Sequence, residues 1–257
     1  MGAPLKLLSW NINGLRSMWK KGLLDVLAAE AADVVCLQET KLQADQVTDE
    51  MRAPLGYRSY WGFAERKGYS GVATYLRAEP LAASTRGDSP VLDCEGRLVH
   101  TELPDFHLFN VYFPNGGMGP ERVQHKLAFY EAFLTFTESL RKRGKGVVVC
   151  GDVNTAHTEL DLARPKENER TSGFLPAERE WVARFIAAGY HDTFRLFTAG
   201  PGHYTWWDLK TGSRARNTGW RIDYFFVSDE LRARVRAATI LPHVLGSDHC
   251  PITLTLE

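Results

Sequence analysis

The sequence predicts an α/β fold in which two mixed β-sheets pack against each other and are flanked by helices. Three observations carry that expectation. Short apolar runs rich in Val, Ile, Phe and Tyr recur throughout the 257 residues, which favours strands. Amphipathic segments lie between them, so strands and helices interleave. Several neighbouring runs are joined by links too short for a helical crossover, which makes them antiparallel hairpins and the sheets mixed. There are more such runs than one helix-covered sheet would comfortably use.

In chain order, Leu5–Trp10 is the first strand, and Gly22–Ala32 follows as a helix with Leu23, Leu24, Leu27 and Ala28 on one face. Val34–Gln38 and Gly71–Leu76 are strands. Arg97–Leu103 and His107–Phe113 form a hairpin across Pro104-Asp105. A long helix begins at Pro120, a residue tolerated at a first helical position, and carries Val123, Leu127, Tyr130, Phe133 and Leu134. Gly146–Cys150 is a strand, and the polar stretch Asp152–Pro176 reads as a functional loop. Ala177–Ala188 is a helix with Trp181, Phe185 and Ala188 on one side, and Ile222–Val227 and Ile252–Leu256 are the closing strands. With no Pro-, Gly- or Ser-rich linker and no low-complexity tract, one domain spanning residues 1–257 is expected.

Hydrophobic residues make up 44% and aromatics 11%, enough for a large core, while 31 basic residues balance 31 acidic ones. No overall field draws the chain to an anionic partner, so such a partner must be held by a local patch. The basic runs Arg141–Lys145 and Arg232–Arg236 read as solvated faces. Cys36, Cys94, Cys150 and Cys250 are scattered, three of them in or beside apolar runs, and are read as reduced and buried. Neither a signal peptide nor an apolar stretch near about 18 residues is visible. An intracellular, cytoplasmic protein without a membrane partner is expected.

Two phrases carry the strongest chemical signal, Gly151-Asp152-Val153-Asn154 and Gly246-Ser247-Asp248-His249-Cys250-Pro251. Each sets a carboxylate beside a carboxamide or imidazole where an apolar run stops or starts, the placement of a site on loops at strand ends. Strand alternation puts Asp152 and Asn154 on one side, where both reach a phosphate or water; a strand end with an Asp turn is the plain alternative. Asp223 lies inside an apolar strand and is costly there without a partner. His249 is the partner expected, with Asp223 fixing its tautomer and favouring the imidazolium; pairing with Arg221 for stability alone is the rival. Glu39, after Gln38 at a strand end, fits Mg²⁺, which takes one or two carboxylates and fills its shell with water and phosphate oxygens. Asn11 and Asn13, after Trp10, are placed to orient a metal-bound water or Asp152, or simply form an Asn-x-Asn-Gly turn.

As a set, these phrases, with Ser9–Arg16, Leu37–Lys41, Gly68–Val72, Asp161–Asn168, Gly173–Arg179 and Gly219–Tyr224, resemble the exonuclease III family of abasic-site endonucleases, in order and from about Leu5 to the last residue. The family belongs to a superfamily of metal-dependent endonucleases, exonucleases and phosphatases. The resemblance implies a four-layer sandwich of the deoxyribonuclease I type. It also implies a role for each matching position. Glu39 looks like the main metal ligand with Asn11 nearby, and Asp152, Asn154, Asp248 and His249 complete the metal's surroundings. Asp152 would orient or deprotonate the attacking water, Asn154 would bind the scissile phosphate, and the Tyr112 hydroxyl would add a contact. His249, held by Asp223, would stabilise the pentacoordinate transition state, and Asp248 would assist the leaving 3′-oxygen or a second metal. Asn115 and Asn168 match positions that support or contact the active-site loop. Trp206, Trp220 and Ile222 match the apolar walls that receive a flipped-out sugar lacking its base; Trp207 is divided between that role and the core.

Three departures stand out. Asn13 replaces an Asp of some relatives, implying weaker metal affinity. Met118 and Thr171 replace an Arg and an Asn, which alters the grip on duplex DNA. The expected function is a DNA repair endonuclease, using Mg²⁺ with Mn²⁺ as a substitute, that cuts duplex DNA on the 5′ side of an abasic site and leaves a 3′-hydroxyl and a 5′-deoxyribose phosphate. Exonuclease activity from the 3′ end and 3′-end cleaning would accompany it, and a monomer is expected. The rivals are a phosphatase of the same superfamily and a catalytically silent damage-binding protein.

Overall fold

The computed structural model describes residues 4–257. The strands are β1 (Leu5–Asn11), β2 (Val34–Gln38), β3 (Arg58–Gly62), β4 (Val72–Leu76), β5 (Ala82–Ser84), β6 (Leu98–Glu102), β7 (Phe106–Tyr112), β8 (Gly146–Asp152), β9 (Tyr190–Asp192), β10 (Asp223–Ser228), β11 (Val235–Ile240) and β12 (Ile252–Leu256). They form two six-stranded sheets, ordered β11-β12-β1-β2-β4-β3 and β5-β6-β7-β8-β10-β9. Each sheet holds one parallel pair, β1 with β2 and β7 with β8, among antiparallel neighbours. The hairpin across Pro104-Asp105 is β6–β7. The expectation of two mixed sheets therefore holds.

Strand alternation builds the layers. Leu7, Cys36, Leu108, Val148, Phe225 and Leu254 point between the sheets. Their chain neighbours point outward: Leu8, Val35 and Leu37 pack under the helices α1 (Leu15–Lys20) and α2 (Leu23–Glu30). Phe109, Val147 and Phe226 pack under two further helices, Pro120–Arg141 and Pro176–Ala187. Central strands buried on both faces need continuous apolar runs, which is why those runs dominate the sequence. Cys36, Cys150 and Cys250 are buried and free as expected, whereas Cys94 is free but exposed. Among the described residues no helix is long and apolar enough to cross a membrane.

The topology gathers one set of strand ends. The C-terminal ends of β1, β2, β7 and β8 lie together with the N-terminal ends of β10 and β12, because β10 runs antiparallel to β8 and β12 antiparallel to β1.

Candidate active site

At those strand ends lies a cavity of about 330 Å³. Glu39, Tyr112, Asp152, Asn154, Asp248 and His249 line one part of it; Trp206, Trp220 and Ile222, with Asn115 and the segment Thr171–Gly173, line the rest. The backbone there is held in uncommon conformations: Asn13, Glu39, Lys41 and Asn154 all have positive φ, between 47° and 55°. Such residues persist only where surrounding bonds over-determine them. Gly14 N donates to Glu39 O at 2.8 Å, Thr40 N to Gly71 O at 3.0 Å and Lys41 N to Ser70 O at 2.9 Å.

Asn11 is the hub behind the cavity. Its Nδ2 donates to Glu39 Oε1 and to Asp152 Oδ2, both at 3.0 Å, and its Oδ1 accepts from Asn13 N. Asp152 Oδ1 accepts from Asn154 N at 2.8 Å. Asn154 donates from Nδ2 to Phe113 O at 2.8 Å and accepts from Asn115 Nδ2 at 2.9 Å. Because a carbonyl accepts only, this fixes the amide orientation of Asn154 and leaves it one N–H to give. Asn13, Nδ2 on Asp248 Oδ1 at 2.9 Å, orients Asp248 together with Trp206 Nε1 on Oδ2 at 3.1 Å.

His249 Nδ1 meets Asp223 Oδ2 at 2.8 Å, and its Nε2 faces Asp152 Oδ2 at 3.8 Å. The rival partner of Asp223 is committed elsewhere: buried Arg221 pairs with Asp161 at 2.8 Å and Asp192 at 2.6 Å. Asp223 Oδ1 is buried without a hydrogen-bond partner among the described residues, so His249 carries the balance of its charge. Burial alone would lower the His249 pKa, but Asp223 first, then Asp152 and Asp248, outweigh it and raise it to about 10. For Asp152, burial dominates and, with Asp223 and Glu39 adding to it against His249, raises the carboxyl to about 7. Glu39 is lowered: burial works against ionisation and is overcome by Lys41 and the Asn11 hydrogen bond. Tyr112 is pushed up by burial and by Glu39, so it stays a phenol; Arg97 stacks beneath its ring at 4.6 Å.

The donor set suits a hard divalent cation. Glu39, Asp152 and Asp248 offer oxygens, whereas Asn11, expected as a ligand, turns its N–H groups to Glu39 and Asp152 and its oxygen to Asn13 N, and so orients ligands instead of being one; the Lys41 ammonium, paired with Glu39 Oε2 at 2.8 Å and bonded to Asn13 Oδ1, shows that positive charge is favoured there. Ligand atoms of Asp152, Asp223 and His249 also lie within 4.8 Å of one another. While His249 is protonated, however, it has no lone pair to offer, so the oxygens on the Glu39 side are the better ligands.

The apolar wall is built by pairing. Trp206 and Trp220 exchange backbone hydrogen bonds at 2.9 Å and meet edge to face with ring centroids 6.4 Å apart, and Phe174 packs on Trp220 in the same manner. Trp207 is a core residue, buried under Arg214. Asp223 and Asn11 support the cavity from behind; Asn13, Met118 and Asn168 do not line it. Met118 is 86% exposed, and Asn168 donates to Arg164 O at 2.8 Å, closing its own short helix. Gln38 lies between the sheets, bonded to Ser9 and Asn110. Ser172, Lys126 and Glu178 were not foreseen as site residues. Lys126 could have been found: it falls in phase with Phe129, Tyr130 and Phe133 on the buried face of its helix, where a charge demands a partner.

A family model described as the Endonuclease/Exonuclease/phosphatase family matches residues 8–249. The chain is 42% identical to the exodeoxyribonuclease of Bacillus subtilis over 98% of its own length and 100% of that protein's. It is 39% identical to the DNA repair nuclease APEX1 of Danio rerio, covering 99% of this chain and 83% of the relative. The crystal structure of an AP endonuclease from Leishmania major superposes with a TM-score of 0.88 at 32% identity, covering 99% of this chain and 88% of the other.

Proposed function

The chain belongs to the endonuclease/exonuclease/phosphatase family, in its exonuclease III branch of DNA repair nucleases, and from that premise we propose how its own residues cut DNA at an abasic site. It is a metal-dependent DNA phosphodiesterase. The reaction proposed is hydrolysis of the bond 5′ to an abasic nucleotide in duplex DNA, giving a 3′-hydroxyl and a 5′-deoxyribose phosphate, with 3′-to-5′ exonuclease and 3′-end cleaning at the same site. The observation that carries this reading is the meeting, in one cavity, of a phosphate-hydrolysing set (Asp152, Asn154, His249) with an apolar wall of Trp206, Trp220 and Ile222.

An abasic nucleotide lacks stacking and pairing, so turning it out of the helix costs less than turning out an intact one, and an apolar wall suits a bare sugar. Asn154 donates its free N–H to the scissile phosphate, and Tyr112 adds its hydroxyl. Asp152, held between Asn11 and the Asn154 backbone, takes the proton of the attacking water. His249 presents Nε2–H to the phosphoryl oxygens while Asp223 holds its other nitrogen, stabilising charge as the fifth oxygen arrives; the bond from phosphorus to the 3′-oxygen then breaks, and that oxygen takes a proton from water to give the 3′-hydroxyl. Glu39, with Asp152 and Asp248, would hold Mg²⁺ or Mn²⁺, which supplies Lewis-acid neutralisation of phosphate charge when bound, while Asn11 orients the first two carboxylates. Action as a single-domain monomer is part of the same proposal, and free cysteines accord with a reducing cytoplasm.

The test is a 5′-labelled duplex carrying one tetrahydrofuran abasic analogue, incubated with Mg²⁺ or with EDTA beside the undamaged duplex. One Mg²⁺-dependent nick immediately 5′ of the lesion is expected. An uncut lesion strand would overturn the reading, in favour of a phosphatase if inositol phosphates are hydrolysed instead.

A further inference from the structure

Lys126 and Glu178 form an ion pair at 2.7 Å with both side chains fully buried. Each is bonded to capacity. Glu178 Oε1 accepts from Ser172 Oγ at 2.7 Å as well as from Lys126, and Oε2 accepts from Gly173 N at 2.5 Å and Leu175 N at 3.0 Å. Lys126 Nζ also donates to Asn154 O at 2.7 Å and to Thr155 Oγ1 at 2.9 Å. One end of the pair thus grips the segment Ser172–Leu175, the other the backbone of the residue facing the phosphate.

Close packing ties the two ends together. A Cβ on Gly173, whose φ is +98°, would stand 3.2 Å from both Asn154 O and the Trp220 ring, and Ala156 N donates to Gly173 O at 2.8 Å. Ser172 and Gly173 line the cavity, and Phe174 packs on Trp220. An isolated surface loop would set the wall and the phosphate contact independently. Here a single buried salt bridge spans them. Removing one partner would leave an unpaired charge in the interior, so the pair acts as a unit.

Resting on the abasic-nuclease reading, we propose that Lys126 and Glu178 are positioning residues that fix the distance between the sugar-receiving wall and the phosphate contact of Asn154, and thereby set the preference for abasic over intact nucleotides. Neither side chain lines the cavity, so neither touches substrate. A loosened wall would accept a nucleotide that still carries its base and would hold the abasic phosphate less well aligned. The expected signature is a loss of kcat on abasic duplex with KM little changed, and a smaller loss, or none, in exonuclease digestion of intact DNA.

The experiment compares wild type, Lys126→Met, Glu178→Gln, Lys126→Arg and Ser172→Ala, with melting temperature measured for each. Wild-type nicking of abasic duplex tests the underlying reading by itself. If it nicks, Lys126→Met and Glu178→Gln should lower the ratio of abasic nicking to exonuclease digestion tenfold or more through kcat, and Lys126→Arg should restore most of it. Ser172→Ala removes one bond and should shift the ratio in the same direction by less, which decides the matter if the charged variants fail to fold. Folded variants that lower the melting temperature and leave the ratio and the kcat-to-KM pattern unchanged would overturn the proposal and leave the pair a purely structural one.

Discussion

Asp152 and His249 face each other across 3.8 Å with opposite needs. The proposed chemistry requires an ionised Asp152 and a protonated His249. With the carboxyl raised to about 7 and the imidazole to about 10, cleavage should rise with pH through the first titration and fall through the second. A cation bound beside Asp152 favours its ionised form, so more Mg²⁺ should move the rising limb to lower pH. Asp223→Asn removes the carboxylate that chiefly holds the imidazolium and also weighs on Asp152; both limbs should move down, the falling one further. A falling limb that stays near about 10 in that variant would separate the two residues. Asp152→Asn should cost roughly 10²- to 10⁴-fold in rate while DNA binding persists, measured by single-turnover cleavage and by gel shift. In folding terms, His249 contributes stability that is full below its ordinary 6.5 and lost as pH climbs through about 10. Asp152, raised from 3.8, favours the fold below that value and ceases to as pH passes about 7. Both terms weaken the fold toward alkaline pH. The pairing of Asp223 with His249 was legible in the sequence because a carboxylate in an apolar strand must find a cation; which cation was decided only by Arg221 turning to Asp161 and Asp192.

At the scale of elements, the site exists because β8 carries a glycine just before its last residue, Asp152. Gly151 has φ +132°, and a Cβ there would lie 1.9 Å from Val111 O on the paired strand β7. No side-chain rotation relieves a clash with backbone. Gly151→Ala should therefore destabilise the protein by about 3 kcal/mol, with a fall in melting temperature of roughly 10 °C, and displace Asp152 and Asn154 together. A variant with unchanged melting and cleavage would show that β8 tolerates the side chain. The same strands explain what was readable. β2 falls where its apolar run places it, since a strand covered on both faces is nearly all apolar, and β12 where Ile252, Leu254 and Leu256 alternate with Thr253 and Thr255. β3 and β11 were missed because they are partly exposed and carry Arg, Ser and Ala, and β5 and β9 because they hold only three residues each. The pairing of Lys126 with Glu178 escaped notice for a different reason. They are far apart in sequence, and only the folded chain shows that their charges meet.

For the whole molecule, 31 positive and 31 negative formal charges cancel, so long-range attraction to DNA cannot come from net charge. One cation stands next in the chain to the cavity's lining: Arg170, exposed beside Thr171. Lesion recognition and phosphate attraction are then separate contributions. The first comes from the apolar wall and is insensitive to salt; the second comes from cations such as Arg170 and releases counterions, each contact steepening the dependence of log affinity on log salt by about 0.9. Arg170→Ala should accordingly reduce that slope by about one and weaken binding of abasic and intact duplexes equally. Trp220→Ala should leave the slope unchanged and weaken the abasic duplex alone. Fluorescence anisotropy on both duplexes, from low to physiological salt with Ca²⁺ in place of Mg²⁺ to prevent cleavage, measures the two contributions. If Arg170→Ala discriminated between the duplexes, or Trp220→Ala changed the slope, the division of labour between Arg170 and the wall would be wrong.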